Sequence, residues 1–288
     1  MKQVTIAAIQ AMPVSVTFNE LQQGVDVQHA LDLLDEAKRM GADLACFPEL
    51  YPYVGEQELC AAAARLGIWV VAGLAVERDE GGWYNTATFI SGDGEVVGRQ
   101  PKCLPTANET RAGAVAGNGY TVVDTPFGRV GAPICADLAF SSAWLRQLGE
   151  QQVDIILNPA WWFALGDAYS SVIIGRHLEC GLPIVGVDIA RYAFKSGADG
   201  VENEFPPAGG RTTLTVPPPV AELSTLSNWF LTKPGGSNTI DGFATVLGYE
   251  EEIAVVTIDV EAVRTFPGYF YSEESAQVRR TELVGIRT

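Results

Sequence analysis

The sequence lacks the features that identify several large classes of protein. It has only two histidines, and its five cysteines form no CxxC pair and no metal-ligand spacing, which argues against a metal centre. Lysine and arginine total 19 against 35 acidic residues, giving a net charge of −16. Nucleic acids and anionic membranes require basic surface, so we expect this chain to bind neither.

Long apolar runs are also missing, and no stretch is long enough to span a bilayer. The first residues, MKQVTIAAIQAMPVSV, carry one lysine and are soon broken by Pro13, which predicts a first core strand rather than a signal peptide. An odd set of cysteines with no pairing pattern is typical of free thiols in a reducing compartment, so we expect a cytoplasmic location. No phosphate-cradling glycine loop follows the first strand, which argues against a nucleotide-binding fold.

The chain does have the material for a large core, since hydrophobic residues make up 47% of its 288 residues. Short β-branched runs alternate with longer segments of helical period, which favours one layered α/β domain over residues 1–288. One helix is predicted over Asn19–Met40, and a hairpin turn is predicted at Gly92–Gly94. Apolar strands such as DIIL and IVGV predict sheets covered by helices.

One segment, Lys195–Gly236, is rich in glycine, proline, serine and threonine. A structureless segment of this length inside a compact domain is uncommon and is often functional. We interpret it as an insertion that forms a lid over a site, an arm that contacts a partner, or a plain surface loop.

Three chemically useful side chains follow strand-like runs. Cys135 ends the run GRVGAPIC, and a helix-like run begins six residues later, so the amino end of a helix is expected to favour its thiolate. Glu49 follows DLACFP, and Lys102 ends EVVGRQP. Sites in α/β folds form at the carboxyl ends of strands, so we expect the three groups to converge.

Together these groups predict covalent catalysis on a carbon–nitrogen bond. Cys135 would attack, and Glu49, with a pKa raised by burial, would take the thiol proton and deliver it to the leaving amine. Lys102 and the backbone N–H of Ala136 would hold the oxygen of the tetrahedral intermediate.

The order of these segments resembles that of the nitrilase superfamily of carbon–nitrogen hydrolases over nearly the whole chain. The similar segments are VTIAAIQ, GADLACFPEL, GRQPKCLP, FGRVGAPICADLAF, GRHLECGLPIVGV and GGSNTIDGFATVLG followed by EEIAVVTIDV. The resemblance implies Glu49 as general base and acid, Lys102 as oxyanion stabiliser and Cys135 as nucleophile. It also implies a four-layer αββα sandwich, assembly into homodimers or larger homo-oligomers, and no metal or organic cofactor.

Many members of the superfamily have a second glutamate shortly after the lysine, and Glu109 lies seven positions after Lys102. The resemblance implies that Glu109 orients Lys102 and the substrate amide; the alternative is an exposed loop glutamate. Arg176 and Glu179, where the superfamily has its post-catalytic helix, are spaced at i,i+3 and are expected to form a structural pair.

The residues around the cysteine favour one reaction without excluding others. CAD resembles the amidase pattern, so the first hypothesis is hydrolysis of a small, mostly uncharged amide through a thioester on Cys135. The alternatives are hydrolysis of a nitrile through a thioimidate, and a catalytically silent scaffold of the same fold. Trp161 and Trp162, followed by Phe163, are predicted to wall the substrate pocket together with Tyr51, although an aromatic run at a strand end can also be core packing.

Overall fold

Two β-sheets of seven strands each form the centre of the molecule. The computed structural model describes residues 3–162, 168–192, 195–196, 203–204, 209–217, 239–240 and 243–266. Strands and helices are numbered in chain order within this described part. None of its helices is both long and apolar enough to cross a bilayer.

The first sheet has the strand order β16-β1-β2-β4-β5-β6, with β3 paired to β4. Its strands are β1 (Gln3–Gln10), β2 (Leu44–Cys46), β3 (Pro52–Tyr53), β4 (Trp69–Glu77), β5 (Trp83–Ile90), β6 (Val96–Pro101) and β16 (Glu252–Asp259). The strands β1, β2 and β4 run parallel, whereas β5, β6 and β16 are joined antiparallel to their neighbours. Three helices precede or separate these strands: α1 (Phe18–Gln22), α2 (Val27–Arg39) and α3 (Glu56–Leu66).

The second sheet has the order β14-β15-β13-β10-β9-β8-β7. Its strands are β7 (Val122–Asp124), β8 (Arg129–Gly131), β9 (Ile155–Ala160), β10 (Ile184–Asp188), β13 (Thr213–Thr215), β14 (Thr239–Ile240) and β15 (Ala244–Val246). A separate two-stranded sheet joins β11 (Lys195–Ser196) to β12 (Asn203–Glu204). The remaining helices are α4 (Ala107–Arg111), α5 (Ala136–Phe140), α6 (Ala143–Glu150), α7 (Ala168–Cys180) and α8 (Val260–Thr265).

The alternation of side chains along β1 separates the layers. Ile6 and Ala8 lie in a core shared with buried residues of the second sheet, whereas Ala7 and Ile9 lie in a core shared with α2 and α3. Successive strand residues point to opposite faces, so β1 contacts the second sheet on one side and helices on the other. Residues of α6 and α7 pack onto β8 and β10 of the second sheet. The predicted four-layer αββα sandwich is therefore confirmed.

Two predictions about local structure need correction. The single helix predicted over Asn19–Met40 is two helices, because the chain turns between α1 and α2 and Gly24 there adopts a φ of 82°. The segment Lys195–Gly236 is predicted to be structureless, but it contains β13, a strand of the second sheet that pairs with β10 and β15. Three residues rich in β-branched threonine form this strand between proline-rich and glycine-rich flanks, which hid it. Much of the remaining segment lies outside the described residues.

Candidate active site

Glu49 lies in the turn that leaves β2 and enters β3, and a glycine of the neighbouring strand makes room for that turn. A Cβ atom on Gly73 of β4 would lie 2.2 Å from the carbonyl oxygen of Pro48 and 2.4 Å from the backbone nitrogen of Leu50. Leu50 itself adopts a φ of 53°. This close approach places Glu49 inside the protein, where it is only 3% exposed.

Lys102 directly follows β6 and points its ammonium at two carboxylates. Its Nζ donates to Glu49 Oε1 at 2.5 Å and to Glu109 Oε2 at 2.8 Å. The side chain is 2% exposed. Its backbone nitrogen donates to the carbonyl oxygen of Asn85 on β5 at 2.8 Å, which fixes where the lysine leaves the sheet. The position of Lys102 directly after β6 therefore places a buried ammonium beside Glu49.

Glu109 is held at the amino end of its short helix α4. Its carboxylate accepts from the backbone nitrogen of Thr106 at 2.7 Å, while the Thr106 hydroxyl accepts from the Glu109 nitrogen, which forms a capping box. The same carboxylate also contacts Lys102, so Glu109 is not the exposed loop glutamate of the alternative interpretation.

Cys135 lies between β8 and α5 in a strained backbone conformation, with φ 44° and ψ −105°. Its backbone nitrogen donates to the Pro159 oxygen at 2.9 Å, and its Sγ lies 4.0 Å from the Trp161 carbonyl oxygen. The charge of Glu49 acts on this thiol, so the carboxylate lies near the sulfur. A positive φ at a non-glycine residue persists only where the surroundings enforce it, and such residues cluster at active sites.

The protonation state of the thiol differs from the one we expected. Burial raises the pKa of Cys135 well above its ordinary value, and the charge of Glu49 raises it further, whereas Lys102 lowers it. Helix α5 has only five residues, and its amino end does not offset the burial. The resting group is therefore a thiol beside a carboxylate, not the thiolate that the helix position suggested.

The charged groups around the thiol shift one another. Burial raises the pKa of Glu49, as predicted, although Lys102 acts in the opposite direction. Burial alone would lower the pKa of Lys102, but the charges of Glu49, Cys135 and Glu109 raise it, so the ammonium stays charged. Burial would likewise raise the pKa of Glu109, but the charge and hydrogen bond of Lys102 lower it.

Two side chains hold the short helix α5 and the cysteine before it. Asp137 accepts from the backbone nitrogens of Leu104 at 2.7 Å and of Cys103 and Ile134 at 3.2 Å each. It thereby joins the loop after Lys102 to the turn at Cys135. Arg176 of α7 donates to carbonyl oxygens at the end of α5, including that of Leu138 at 3.0 Å, and it also pairs with Glu179 at 2.8 Å, as expected.

The predicted aromatic pocket is only partly assembled. Trp161 contacts the site through its backbone, since its nitrogen donates to Glu49 Oε2 at 2.9 Å. The ring of Trp162 stacks on Phe140 with centroids 5.8 Å apart. Tyr51 is not brought to Cys135: it packs in the core beneath α2, and its hydroxyl lies 2.7 Å from His29 Nδ1. Phe163 lies outside the described residues.

Two polar residues of this site were missed in the sequence. The Asn85 side-chain nitrogen donates to Glu49 Oε1 at 2.7 Å and to Glu109 Oε1 at 2.6 Å. Asp188, at the end of β10, accepts from the Trp162 nitrogen at 2.9 Å, and burial raises its pKa well above the ordinary value. Asp188 is the polar residue of the otherwise apolar strand β10, which is the signal that could have found it; Asn85 shares β5 with two threonines and gives a weaker signal.

Metal binding finds no support in this part of the chain: no group of three or more histidine, cysteine or acidic side chains that could hold a metal ion occurs in the described ranges.

Comparison with known proteins assigns the chain to a family. The carbon–nitrogen hydrolase family model matches residues 5–172, which include Glu49, Lys102, Glu109 and Cys135. A nitrilase of Penicillium rubens is 31% identical over 204 residues, covering 59% of each chain. A deaminated glutathione amidase of Synechocystis is 30% identical over 164 residues, covering 47% of this chain and 60% of that one. The chain thus spans less than two thirds of the length of either relative.

A solved structure shares the fold over nearly its full length. The carbon–nitrogen hydrolase of Helicobacter pylori superimposes with a TM-score of 0.71 and covers 99% of this chain and 95% of that chain, at 16% identity. At that identity the likeness concerns the fold alone. The family match extends over more than half of the sequence, and the chain therefore belongs to the carbon–nitrogen hydrolase family of the nitrilase superfamily.

Proposed function

We propose that the protein hydrolyses the carbon–nitrogen bond of a small amide through a thioester on Cys135. The observation that carries this proposal is one buried cluster in which the Glu49 carboxylate lies near the Cys135 thiol and accepts a hydrogen bond from the Lys102 ammonium. A nucleophile, a proton carrier and a cation within reach of one another are the parts that covalent amide hydrolysis requires.

The first half of the reaction moves one proton and exchanges one bond. Glu49 takes the proton of the Cys135 thiol as the sulfur attacks the carbonyl carbon. Burial raises the pKa of Glu49, which makes its carboxylate a stronger base for the buried thiol, whose own pKa is also raised. The tetrahedral intermediate then breaks its carbon–nitrogen bond, Glu49 returns the proton to the leaving nitrogen, and ammonia or an amine departs.

Two donors are available for the oxyanion that forms in this step. An ammonium has three N–H donors, and the described residues occupy two of those of Lys102. The backbone N–H of Ala136 begins α5, and no residue in the described ranges accepts from it, as is usual at a helix start. We assign both to the oxyanion.

In the second half, water attacks the thioester carbon while Glu49 takes a proton from it. The carbon–sulfur bond breaks, the thiol regains its proton and a carboxylic acid leaves. Among the described residues, the Glu109 carboxylate accepts hydrogen bonds from Lys102, Asn85 and Thr106, so we assign it to positioning the lysine.

The test compares a matched amide and nitrile, propionamide and propionitrile. Ammonia and carboxylic acid are quantified for the wild type, for Cys135→Ala and for Cys60→Ala, a control in a distant helix. Activity on the amide that Cys135→Ala abolishes and Cys60→Ala keeps would support the proposal. Intact-mass spectrometry should then detect the acyl adduct on Cys135. Amide turnover by Cys135→Ala would refute it.

Nitrile hydrolysis is the second candidate, since the same thiol can form a thioimidate and one relative is named a nitrilase. Release of acid from propionitrile, with propionamide left intact, would favour it. A silent scaffold would show neither turnover nor an adduct on Cys135.

Two further expectations remain proposals. All five cysteines are free, which supports a reducing, cytoplasmic location that cell fractionation can test. Assembly into a homodimer or larger homo-oligomer is implied by the family resemblance, and Phe140, which is 72% exposed, is the surface residue chosen to test it. Native mass spectrometry of the wild type and of Phe140→Ser measures that assembly.

A further inference from the structure

Asn85 of β5 occupies the centre of the charged cluster, although it carries no charge. It is 1% exposed, and its side-chain nitrogen reaches one carboxylate on each side. The two distances, 2.7 Å to Glu49 Oε1 and 2.6 Å to Glu109 Oε1, are those of good hydrogen bonds.

The bonds close a ring around the site. Lys102 joins the same two carboxylates through Glu49 Oε1 and Glu109 Oε2. Both Lys102 and Asn85 therefore donate to one oxygen of Glu49. The other oxygen, Oε2, accepts from the Trp161 nitrogen at 2.9 Å, and the carbonyl of that residue faces the Cys135 sulfur.

The orientation of the Asn85 amide has a cost. Its oxygen Oδ1 is buried without a hydrogen-bond partner among the described residues. Natural proteins seldom bury a polar atom in this way, and the exceptions concentrate where function requires them. The two carboxylates, not the needs of the amide oxygen, thus determine how the side chain is turned.

We propose that Asn85 is a positioning residue whose amide bridges Glu49 and Glu109 and keeps Glu49 Oε2 as the oxygen that takes the thiol proton. This inference rests on the function proposed above. Five titratable groups interact with Glu49, namely Lys102, Glu109, Cys135, Tyr169 and Asp188. Asn85 is a neutral side-chain donor to Glu49, so replacing it changes the hydrogen bonds of Glu49 without changing any charge.

The principal variant is Asn85→Ala, measured as the pH profile of kcat/KM for the amide that the wild type hydrolyses. A hydrogen bond to the charged form of a carboxylate lowers its pKa, so losing this one raises the pKa of Glu49. Because the free enzyme needs ionised Glu49, the acid limb should move to higher pH, by about one unit. We expect kcat to fall by about tenfold to a hundredfold, with little change in KM.

Asn158→Ala is the matched control. Asn158 is also a fully buried asparagine, but it bonds to Pro133 and Tyr169 and touches neither carboxylate. Its replacement should lower thermal stability and leave the acid limb where it is. Asn85→Ser, which keeps a single donor, should give a smaller shift than Asn85→Ala.

A second readout does not depend on turnover. The rate at which iodoacetamide alkylates Cys135 should show the same acid limb, shifted in the same direction in Asn85→Ala. If the acid limb of Asn85→Ala lay at the wild-type pH in both the kcat/KM profile and the alkylation profile, the inference would be overturned. Failure of both Asn85 variants to fold would also overturn it. Turnover that survives Cys135→Ala would instead refute the proposed function, and alkylation would still test the bridge.

Discussion

Replacing Lys102 with methionine should destabilise the protein through its two acidic neighbours. Methionine keeps most of the length of the side chain but removes the ammonium that lies 2.5 Å from Glu49 and 2.8 Å from Glu109. Breaking a buried ion pair by removing one partner costs about 3–5 kcal/mol, because an uncompensated charge stays inside. With two carboxylates losing one shared cation, we expect the free energy of unfolding at pH 8 to fall by an amount in this range.

The pH dependence separates this cause from a simple packing defect. Without the ammonium, the folded-state pKa of Glu49, already raised, should rise further, and the lowered pKa of Glu109 should rise above its unfolded value. Such a group favours the folded state fully below its unfolded pKa, about 4.3, and loses that contribution as the pH rises through the folded pKa. The deficit of Lys102→Met should therefore be smaller at pH 5 than at pH 8, by up to about 1.4 kcal/mol per pH unit for each group.

The assay is urea unfolding followed by tryptophan fluorescence at pH 5 and pH 8. The double variant Lys102→Met/Glu49→Gln should recover part of the loss, because it removes one of the stranded charges. Arg65→Met breaks the exposed pair of Arg65 with Asp35, 2.9 Å apart, and should change stability far less. A Lys102→Met protein with the stability of the wild type at pH 8, or with the same deficit at both pH values, would refute the reasoning.

Three other changes test the scaffold of the site. Gly73→Ala forces a methyl group against the backbone of Pro48, so the free energy of unfolding should fall by roughly 1–3 kcal/mol and activity should drop sharply. A methyl group at Gly248 meets no atom within 4 Å, so Gly248→Ala should change neither quantity. Thermal melts and kinetic assays measure both variants. Asp137→Ala leaves three backbone N–H groups without their acceptor, at a cost of roughly 1–3 kcal/mol for each one that stays buried, and should lower kcat more than KM in steady-state measurements. Asp188→Asn should remove a pH dependence of stability. Because the folded-state pKa of Asp188 is raised, the wild type should lose stability relative to the variant as the pH rises above about 4. Melting temperatures of the two proteins that change in parallel from pH 5 to pH 8 would contradict this.

The sequence sufficed for the layers of the fold and for the approach of three functional groups. Strand and helix periods differ clearly in segments such as VTIAAIQ, so the alternation of elements could be read along the chain. Glu49, Lys102 and Cys135 each follow a strand, and strands of stacked sheets bring such ends together. That argument needs no knowledge of the side-chain contacts.

Other features depended on contacts that local patterns do not contain. The bridge made by Asn85 requires the register of β5 against β6, which sets its carbonyl opposite the backbone of Lys102. The protonated state of Cys135 depends on burial by distant segments, which outweighs the helix start beside it. The ring of Tyr51 lies beneath α2 because Gly73 lets the turn after Glu49 fold close to β4.

The two sheets divide the reactive groups between them. Glu49 and Lys102 follow strands of the first sheet, whereas Cys135 and Trp161 follow strands of the second. A half-folded molecule, with either sheet formed alone, consequently holds a lone sulfhydryl or a lone acid–ammonium couple and lacks the combined set of groups that the proposed reaction needs. Ribosomal synthesis must also pass residue 259 before β1 gains its antiparallel neighbour. The groups of the site therefore come together late in synthesis, when the two sheets stack.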